Sequence, residues 1–246
     1  MEASIEAVAL ANLALAFIPV VAVVLVYYRW SLDYGNAIYA VARMLVQLLT
    51  VGYCLAYLFS TDLPIVVLTV LLLMIAVSSW IALNAVVEYR RALLVKACFA
   101  IAIGGGVTLL VISQAVLQVQ PWYAPQYMVP LGGMVFASAM TSVSLSAERF
   151  FSEIQHGDNF QQARAKAFNA SLIPVVNSLF AVGLVSLPGM MTGQILSGVS
   201  PLIAARYQIM VMCMIFAASG ISSALFLLFL RSVYQKLLVT ATTDQP

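Results

Sequence analysis

Residues 182–208 read VGLVSLPGMMTGQILSGVSPLIAARYQ. An apolar run is cut at Pro188 and Gly189, then at Gly193, Gly198 and Pro201, and a fresh apolar run follows. Proline removes a backbone donor and clashes with the preceding helical turn. In a bilayer every freed backbone group must find a partner. A break of this kind therefore belongs at the membrane edge, or where protein or a wet cavity covers it. Interrupted apolar segments also point to transport paths. Three readings stand together at this point: a loop between two spans, a GxxxG packing face through Gly189 and Gly193, and a path-lining break.

Composition decides that the surroundings are lipid. The 246 residues are 63% hydrophobic and 8% charged, and the mean hydropathy is +1.03. A soluble domain carries about 25% charged residues. A span takes about 20 apolar residues, so about seven spans leave little chain for a soluble domain. The expected fold is an all-α polytopic transmembrane bundle, one domain over residues 1–246. The net charge of +2 and the lack of a long basic run argue against nucleic acid as a partner. Cys54, Cys98 and Cys213 share no CxxC or Cys/His spacing, so neither a disulfide framework nor a zinc site follows.

Working outward, spans are expected at about 5–28, 37–59, 63–87, 97–117, 127–147, 172–188 and 207–230. The second carries Arg43 and Gln47 one helical turn apart, and a charge there is costly in lipid. Arg43 either snorkels to the interface or faces the protein interior together with Gln47. The fourth span holds Gly104, Gly105 and Gly106, read as a place of close helix packing. In the fifth, Ser138, Thr141 and Ser142 share a face; small hydroxyls of this kind often bond their own helix backbone. A compact basic loop runs from Glu88 to Lys96. Residues 148–171 form the one long polar segment, with Asp158 as a candidate cap. After it, Phe160, Ala163, Ala167 and Phe168 fall on one face of a short amphipathic helix. That helix either lies along the membrane interface or docks into a partner's groove; for the second reading Arg149, Glu153, Phe160, Arg164, Lys166 and Phe168 are the candidate contacts to a cytoplasmic partner.

Basic residues cluster in the connections after the odd-numbered spans and at the C-terminus. The positive-inside bias then places the N-terminus outside, the C-terminus and the 148–171 segment in the cytoplasm, and the 188–201 break outward. The expected location is the cell (inner) membrane, with lipid as the surroundings.

Catalytic chemistry is thin. No GxxxxGK[ST] phosphate loop and no GxSxG occur, and His156 is the single histidine. No enzyme activity is expected of this chain. Met190, Met191, Met210, Met212 and Met214 gather around the break. Thioethers suit Cu(I), yet methionine also fills irregular apolar gaps. His156 with Glu153 and Asp158 reads as a solvated charged face rather than a metal site.

Several residue strings carry a resemblance. Arg43-Met-Leu-Val-Gln47-Leu48, with Gly52 and Phe59 beyond, is one. Ile173-Pro174 and Asn177-Ser178 follow, then the unbroken string from Val182 to Leu196, Pro201, Ala204 and Tyr207-Gln208-Ile209. Together they resemble the FetB-like permeases, membrane subunits of iron-export-type ABC transporters that are related to plant aluminium-tolerance half-transporters. The chain departs from that family at Ala137-Ser138, where a Gly-Asn pair is usual, and in a shorter polar segment after Glu148. The resemblance implies a permease without its own nucleotide or other cofactor. Two copies would work with a cytoplasmic ABC ATPase subunit that binds the ATP. The substrate it implies is iron or another metal moving outward, or a non-metal solute such as a nucleotide sugar. A stand-alone carrier and a membrane scaffold are the rival classes. Candidate path residues are Arg43, Gln47, Asn177, Ser178, Pro188, Gly189, Met190, Met191, Thr192, Gly193, Gln194, Tyr207 and Gln208; the metal ligands, if any, are left open.

Overall fold

The structure, a computed structural model, describes residues 10–59 and 63–243. The expected beginning of the first span at Ile5 and the Ser60–Asp62 turn lie outside the described residues. Every regular element among the described residues is helical: α1 (Leu10–Leu15), α2 (Phe17–Arg29), α3 (Tyr34–Phe59), α4 (Pro64–Ala82), α5 (Arg90–Leu110), α6 (Pro125–Gln155), α7 (Phe160–Ala181), α8 (Gly189–Leu196) and α9 (Pro201–Thr243). Contacts group the chain into two compact units, Met1–Thr61 and Asp62–Pro246.

In the first unit, α2 and α3 form a hairpin around the turn at Trp30–Asp33. Asp33 accepts from the Asn36 backbone N–H at 3.0 Å, which occupies one of the orphan donors at the start of α3. The Tyr28 and Tyr34 rings meet edge to face across the turn, 5.6 Å apart.

In the second unit, α5, α6 and α9 form the centre, and α4 and α7 pack against them. Leu93, Ile101, Val135, Phe150, Met214, Phe226 and Leu227 are almost wholly buried there. The glycine run of α5 is part of this packing. A Cβ on Gly104 would lie 2.7 Å from the Ser222 backbone nitrogen of α9, and one on Gly105 would lie 2.8 Å from the Phe136 ring of α6. Gly106 faces open space.

Proline opens three of these helices. Pro64 and Pro125 sit in the first turns of α4 and α6 and Pro201 begins α9. The missing N–H is harmless there, because the first turn has no intrahelical acceptor for it. The helices are longer than their apolar cores. The basic residues of the expected 88–96 loop lie in the first turns of α5, and a 3-10 turn over Leu83–Tyr89 joins α4 to α5 through a non-helical Val86. Arginine and lysine are good helix formers, so a change from apolar to charged residues does not end a helix. For the same reason α6 continues to Gln155, and the expected short amphipathic helix is the first half of a 22-residue α7. Only residues 156–159 separate the two. The cap is Asn159 rather than Asp158: its side chain accepts from Gln162 N–H at 3.0 Å, and Gln162 Oε1 accepts from Asn159 N–H at 3.3 Å, a capping box. Gly157 takes the positive φ of +95° that ends α6.

The break that opened the sequence reading is a turn, a short helix and a second turn. Helix α7 stops at Ala181, seven residues before Pro188. The Ala181 carbonyl accepts from Val185 N–H at 2.8 Å, and Gly183 adopts φ +83°. Cβ atoms on Gly189 or Gly193 would meet nothing within 4 Å. The GxxxG pair is therefore not a packing face within this chain.

Candidate functional site

One face of α6 forms a wall of two cavities. Gln126, Pro130, Met134, Ala137 and Thr141 follow one another at steps of four, four, three and four residues, a single helical stripe. At 1.5 Å per residue the lining from Gln126 to Ser142 spans about 24 Å.

The larger cavity, about 720 Å³, lies between the start of α6, α8 and the start of α9; Gln126, Met134, Met190, Gln194, Tyr207 and Met210 contribute its polar and thioether groups. Pro130 lies inside α6 and lines this space. It cannot donate to the carbonyl of Gln126 one turn earlier, so that oxygen lacks its helical partner. The side-chain oxygen of Gln194 is buried without a hydrogen bond. A buried polar atom left unpaired costs stability, and such atoms in a native fold call for a physical reason.

The smaller cavity, about 280 Å³, lies halfway along α6 between α6, α7 and α9. Ser138, Thr141 and Ser142 of α6, Ser171 and Ser178 of α7, and Ser219 of α9 line it. Thr141 and Ser171 donate to carbonyls of their own helices, at 3.0 Å to Ala137 and 2.8 Å to Phe168. Pro174, inside α7, forms part of the wall and deprives the Ala170 carbonyl of its partner.

The opposite end of α6 carries charge. Glu153, 7% exposed, is paired with Arg149 on its own helix and with Lys166 of α7, whose Nζ lies 2.7 Å from Glu153 Oε2 and 2.9 Å from Asp158 Oδ2. The hydrogen bonds it donates to Asp158 and Glu153 hold the Lys166 ammonium above its ordinary pKa, and accepting from Lys166 holds the Asp158 carboxyl below its own. Beneath the pairs, Phe150 meets Phe160 at 5.4 Å and Tyr234 at 6.1 Å, and Phe160 meets Tyr234 at 5.2 Å. The α4–α5 turn joins the same end. Tyr89 stacks on Phe151 at 4.4 Å, and a polar cleft of about 360 Å³ opens between Glu88, Tyr89, Glu148, Ser152 and Gln155.

The expected site residues are thus divided. Met190, Gln194 and Tyr207 line the large cavity, and Ser178 lines the small one. Thr192 donates to the Pro188 carbonyl at 3.1 Å and helps fold α8. Met191 is half-buried, Asn177, Gly189 and Gly193 are exposed, and Gln208 is buried in the bundle with an unpaired amide oxygen. Arg43 and Gln47 lie one turn apart on α3, both exposed, in the first unit. Of the coupling residues, Arg149, Glu153 and Lys166 form the ion cluster and Phe160 joins the aromatic cluster; Arg164 lies over the Phe160 ring, its guanidinium carbon 6.0 Å from the centroid, and Phe168 is half-buried. Sequence reasoning missed Gln126, Pro130 and Met134, because nothing in a run of residues says which stripe of α6 meets α8. It also missed Glu88, Tyr89 and Glu148, which only the fold brings together.

Metal ligation by the usual side chains finds little support. Among the described residues no group of three His, Cys, Asp or Glu side chains converges. Of the five methionines around the break, Met190 and Met210 reach the large cavity, while Met212 and Met214 are core residues at 7% and 1% exposure.

Comparison with known proteins places this architecture. The uncharacterised protein family UPF0014 matches residues 10–235. A UPF0014 membrane protein of Synechocystis is 37% identical over 204 residues, covering 77% of this chain and 79% of its own length. The probable iron export permease protein FetB of Escherichia coli is 34% identical over 228 residues, 86% of each chain. Protein ALUMINUM SENSITIVE 3 of Arabidopsis thaliana is 32% identical over 227 residues, 85% of this chain and 81% of its own. No solved structure matches. Five helical stretches among the described residues are long and apolar enough to cross a membrane, one of them the kinked α4–α5 run. The chain is a multi-pass membrane protein, and it belongs to the UPF0014 family.

Proposed function

We propose that this chain is the permease subunit of an ABC exporter that moves a metal cation, iron being the first candidate, out of the cytoplasm. The observation that carries the reading is the face of α6. It joins a cavity covered by α8 at one end, a hydroxyl-lined cleft at its middle, and a charged hairpin at the other end. A path needs the first two, and an energising partner needs the third. The name of the E. coli relative, a probable iron export permease, supports the substrate and the direction. No phosphate loop occurs in the 246 residues, so the ATP would be bound by a separate subunit. That ATPase would dock where the α6–α7 hairpin and the α4–α5 turn meet, on the side the positive-inside bias assigns to the cytoplasm. Two copies of the permease would enclose the path.

The experiment is affinity capture of the full chain from its native membrane in mild detergent, followed by identification of what accompanies it. The expected result is a stoichiometric P-loop ATPase, lost from the variant Glu153→Lys, which sets three cations against one another. Capture of a folded chain with no ATPase would overturn the reading in favour of a stand-alone carrier or scaffold.

A further inference from the structure

We propose that Met134, Met190 and Met210 form a binding site for a soft monovalent cation, of the Cu(I) and Ag(I) class, in the large cavity between α6, α8 and α9. The proposal rests on the permease reading for the place of this cavity on the path, and it adds a soft cation to the cargo that the path would carry.

Three separate helices bring a thioether to this one space: α6 brings Met134, α8 brings Met190 and α9 brings Met210. Helices α6 and α9 both open at the large cavity and run on to the small cleft. From Pro125 to Met134 and from Pro201 to Met210 is nine residues in each case, about 14 Å along the helix. Each of the two methionines is also the last residue of its helix to line the large cavity. Their side chains therefore share a level, at the floor of the space. Helix α8 supplies Met190 on the same face as Gln194, one turn later. Methionine is often a gap filler, and Met212 and Met214 act so in the core. The three cavity methionines are half-buried and border about 720 Å³ of space that they do not fill, so packing does not account for them.

A second observation points to a cation. Gln194 Oε1 is buried without a hydrogen bond, and Gln194 belongs to the same lining. So does Gln126, whose carbonyl Pro130 leaves without its helical partner. Each is the negative end of an amide dipole, which a positive ion satisfies. The lining holds no Lys, Arg or His to repel such an ion. It holds no carboxylate either, so a hard divalent ion finds no charged ligand there, and the cost of taking an ion out of water grows with the square of its charge. Thioether sulfur is soft and suits Cu(I). A soft monovalent ion is thus the cation this wall fits. Methionine is unbranched, with three rotatable bonds, so the sulfurs can swing onto one ion in a cavity wider than the ion itself.

The test is titration of Ag⁺, a redox-inert stand-in for Cu(I), into the purified full chain in detergent and chloride-free buffer. The background carries Cys54→Ala, Cys98→Ala and Cys213→Ala, so that no thiol competes, and X-ray absorption at the silver edge reads the ligands. The expected result is one Ag⁺ per chain with sulfur neighbours, not displaced by an excess of Mn²⁺. Met134→Leu, Met190→Leu and Met210→Leu keep side-chain volume and should melt close to the parent, yet each should weaken binding about tenfold or more. Met191→Leu, half-buried on α8 but outside the lining, should leave binding unchanged. No bound Ag⁺, a silver shell without sulfur, displacement by Mn²⁺, full binding in the three leucine variants, or an equal loss in Met191→Leu would each overturn the proposal. The outcome is separable from the permease reading: an ATPase captured with a chain that binds no Ag⁺ leaves that reading standing and removes this one. Ag⁺ held on sulfur by a chain that captures no ATPase does the reverse.

Discussion

Three consecutive glycines in α5 provide an internally controlled test of the bundle. A Cβ on Gly104 would come within 2.7 Å of the Ser222 nitrogen and 2.9 Å of its Cα, whereas a Cβ on Gly106 meets nothing within 4 Å. Ordinary carbon contacts lie at about 3.5–4.0 Å, so Gly104→Ala falls short by roughly 1 Å against backbone that cannot rotate away. Helices α5 and α9 must part. Over-packing of this kind costs about 1–3 kcal/mol. Both alanines gain the same helix propensity, about 1 kcal/mol, so the difference between Gly104→Ala and Gly106→Ala isolates the clash. The assay is thermal unfolding of each variant in detergent, followed by tryptophan fluorescence. At about 2–4 °C per kcal/mol for a chain of this size, Gly104→Ala should melt roughly 2–12 °C below Gly106→Ala, which itself melts at or above the parent. A Gly104→Ala variant as stable as Gly106→Ala would refute the α5–α9 packing.

Other outcomes follow from the same structure. Phe150 is 1% exposed and touches Phe160 and Tyr234, so Phe150→Ala should cost about 3–5 kcal/mol, measured by the same melting assay. Gln194→Met removes an unpaired buried oxygen and keeps the side-chain length; stability should hold or rise while transport falls, and unchanged transport would remove Gln194 from the path. The hairpin pairs set a pH window. The stability from the lowered Asp158 carboxyl is present above the unfolded value and lost as pH falls through the folded one. That from the raised Lys166 ammonium is present below its unfolded value and lost as pH rises through the folded one. The amide protection factors at residues 156–162, taken relative to the base-catalysed exchange of the free chain, should therefore be flat through neutral pH, with protection lost only below pH about 4 and above pH about 10.4. A marked slope between pH 6 and 8 would contradict the assigned pairing.

Much of the architecture was legible in the residues, and the exceptions have physical reasons. Apolar runs located α2 through α7 and α9, because a lipid-facing helix must be apolar along its whole span. They understated the lengths of α6 and α7, because a helix leaving the lipid continues in water on residues such as Arg149, Glu153 and Lys166, which favour helix as much as leucine does. The kink at Val86 carries no proline or glycine to announce it. Pro188 did announce a break, but the helix had already ended at the Ala181–Ser186 turn, where Gly183 takes a backbone conformation open to few other residues. The close-packing role of Gly104 and Gly105 was readable from the membrane preference for small interface residues; that Gly106 plays no part was not, since it depends on which way α9 lies. Met190, Gln194 and Tyr207 were found through the string that carries the family resemblance. Their neighbours Gln126, Pro130 and Met134 were not, because a cavity belongs to the meeting of helices and leaves no mark in any one of them.

The measurement that bears most directly on the account is ATP-dependent metal flux in vesicles rebuilt from the full chain and the ATPase captured with it, comparing the parent with Ala137→Trp. Ala137 is exposed on the face of α6 and lines the hydroxyl cleft, so an indole there occupies the path while sparing the core and the charged hairpin. The account predicts that flux is lost while the variant still binds the ATPase and melts like the parent. Full flux through the variant would contradict it, because the metal would then be crossing somewhere other than along α6.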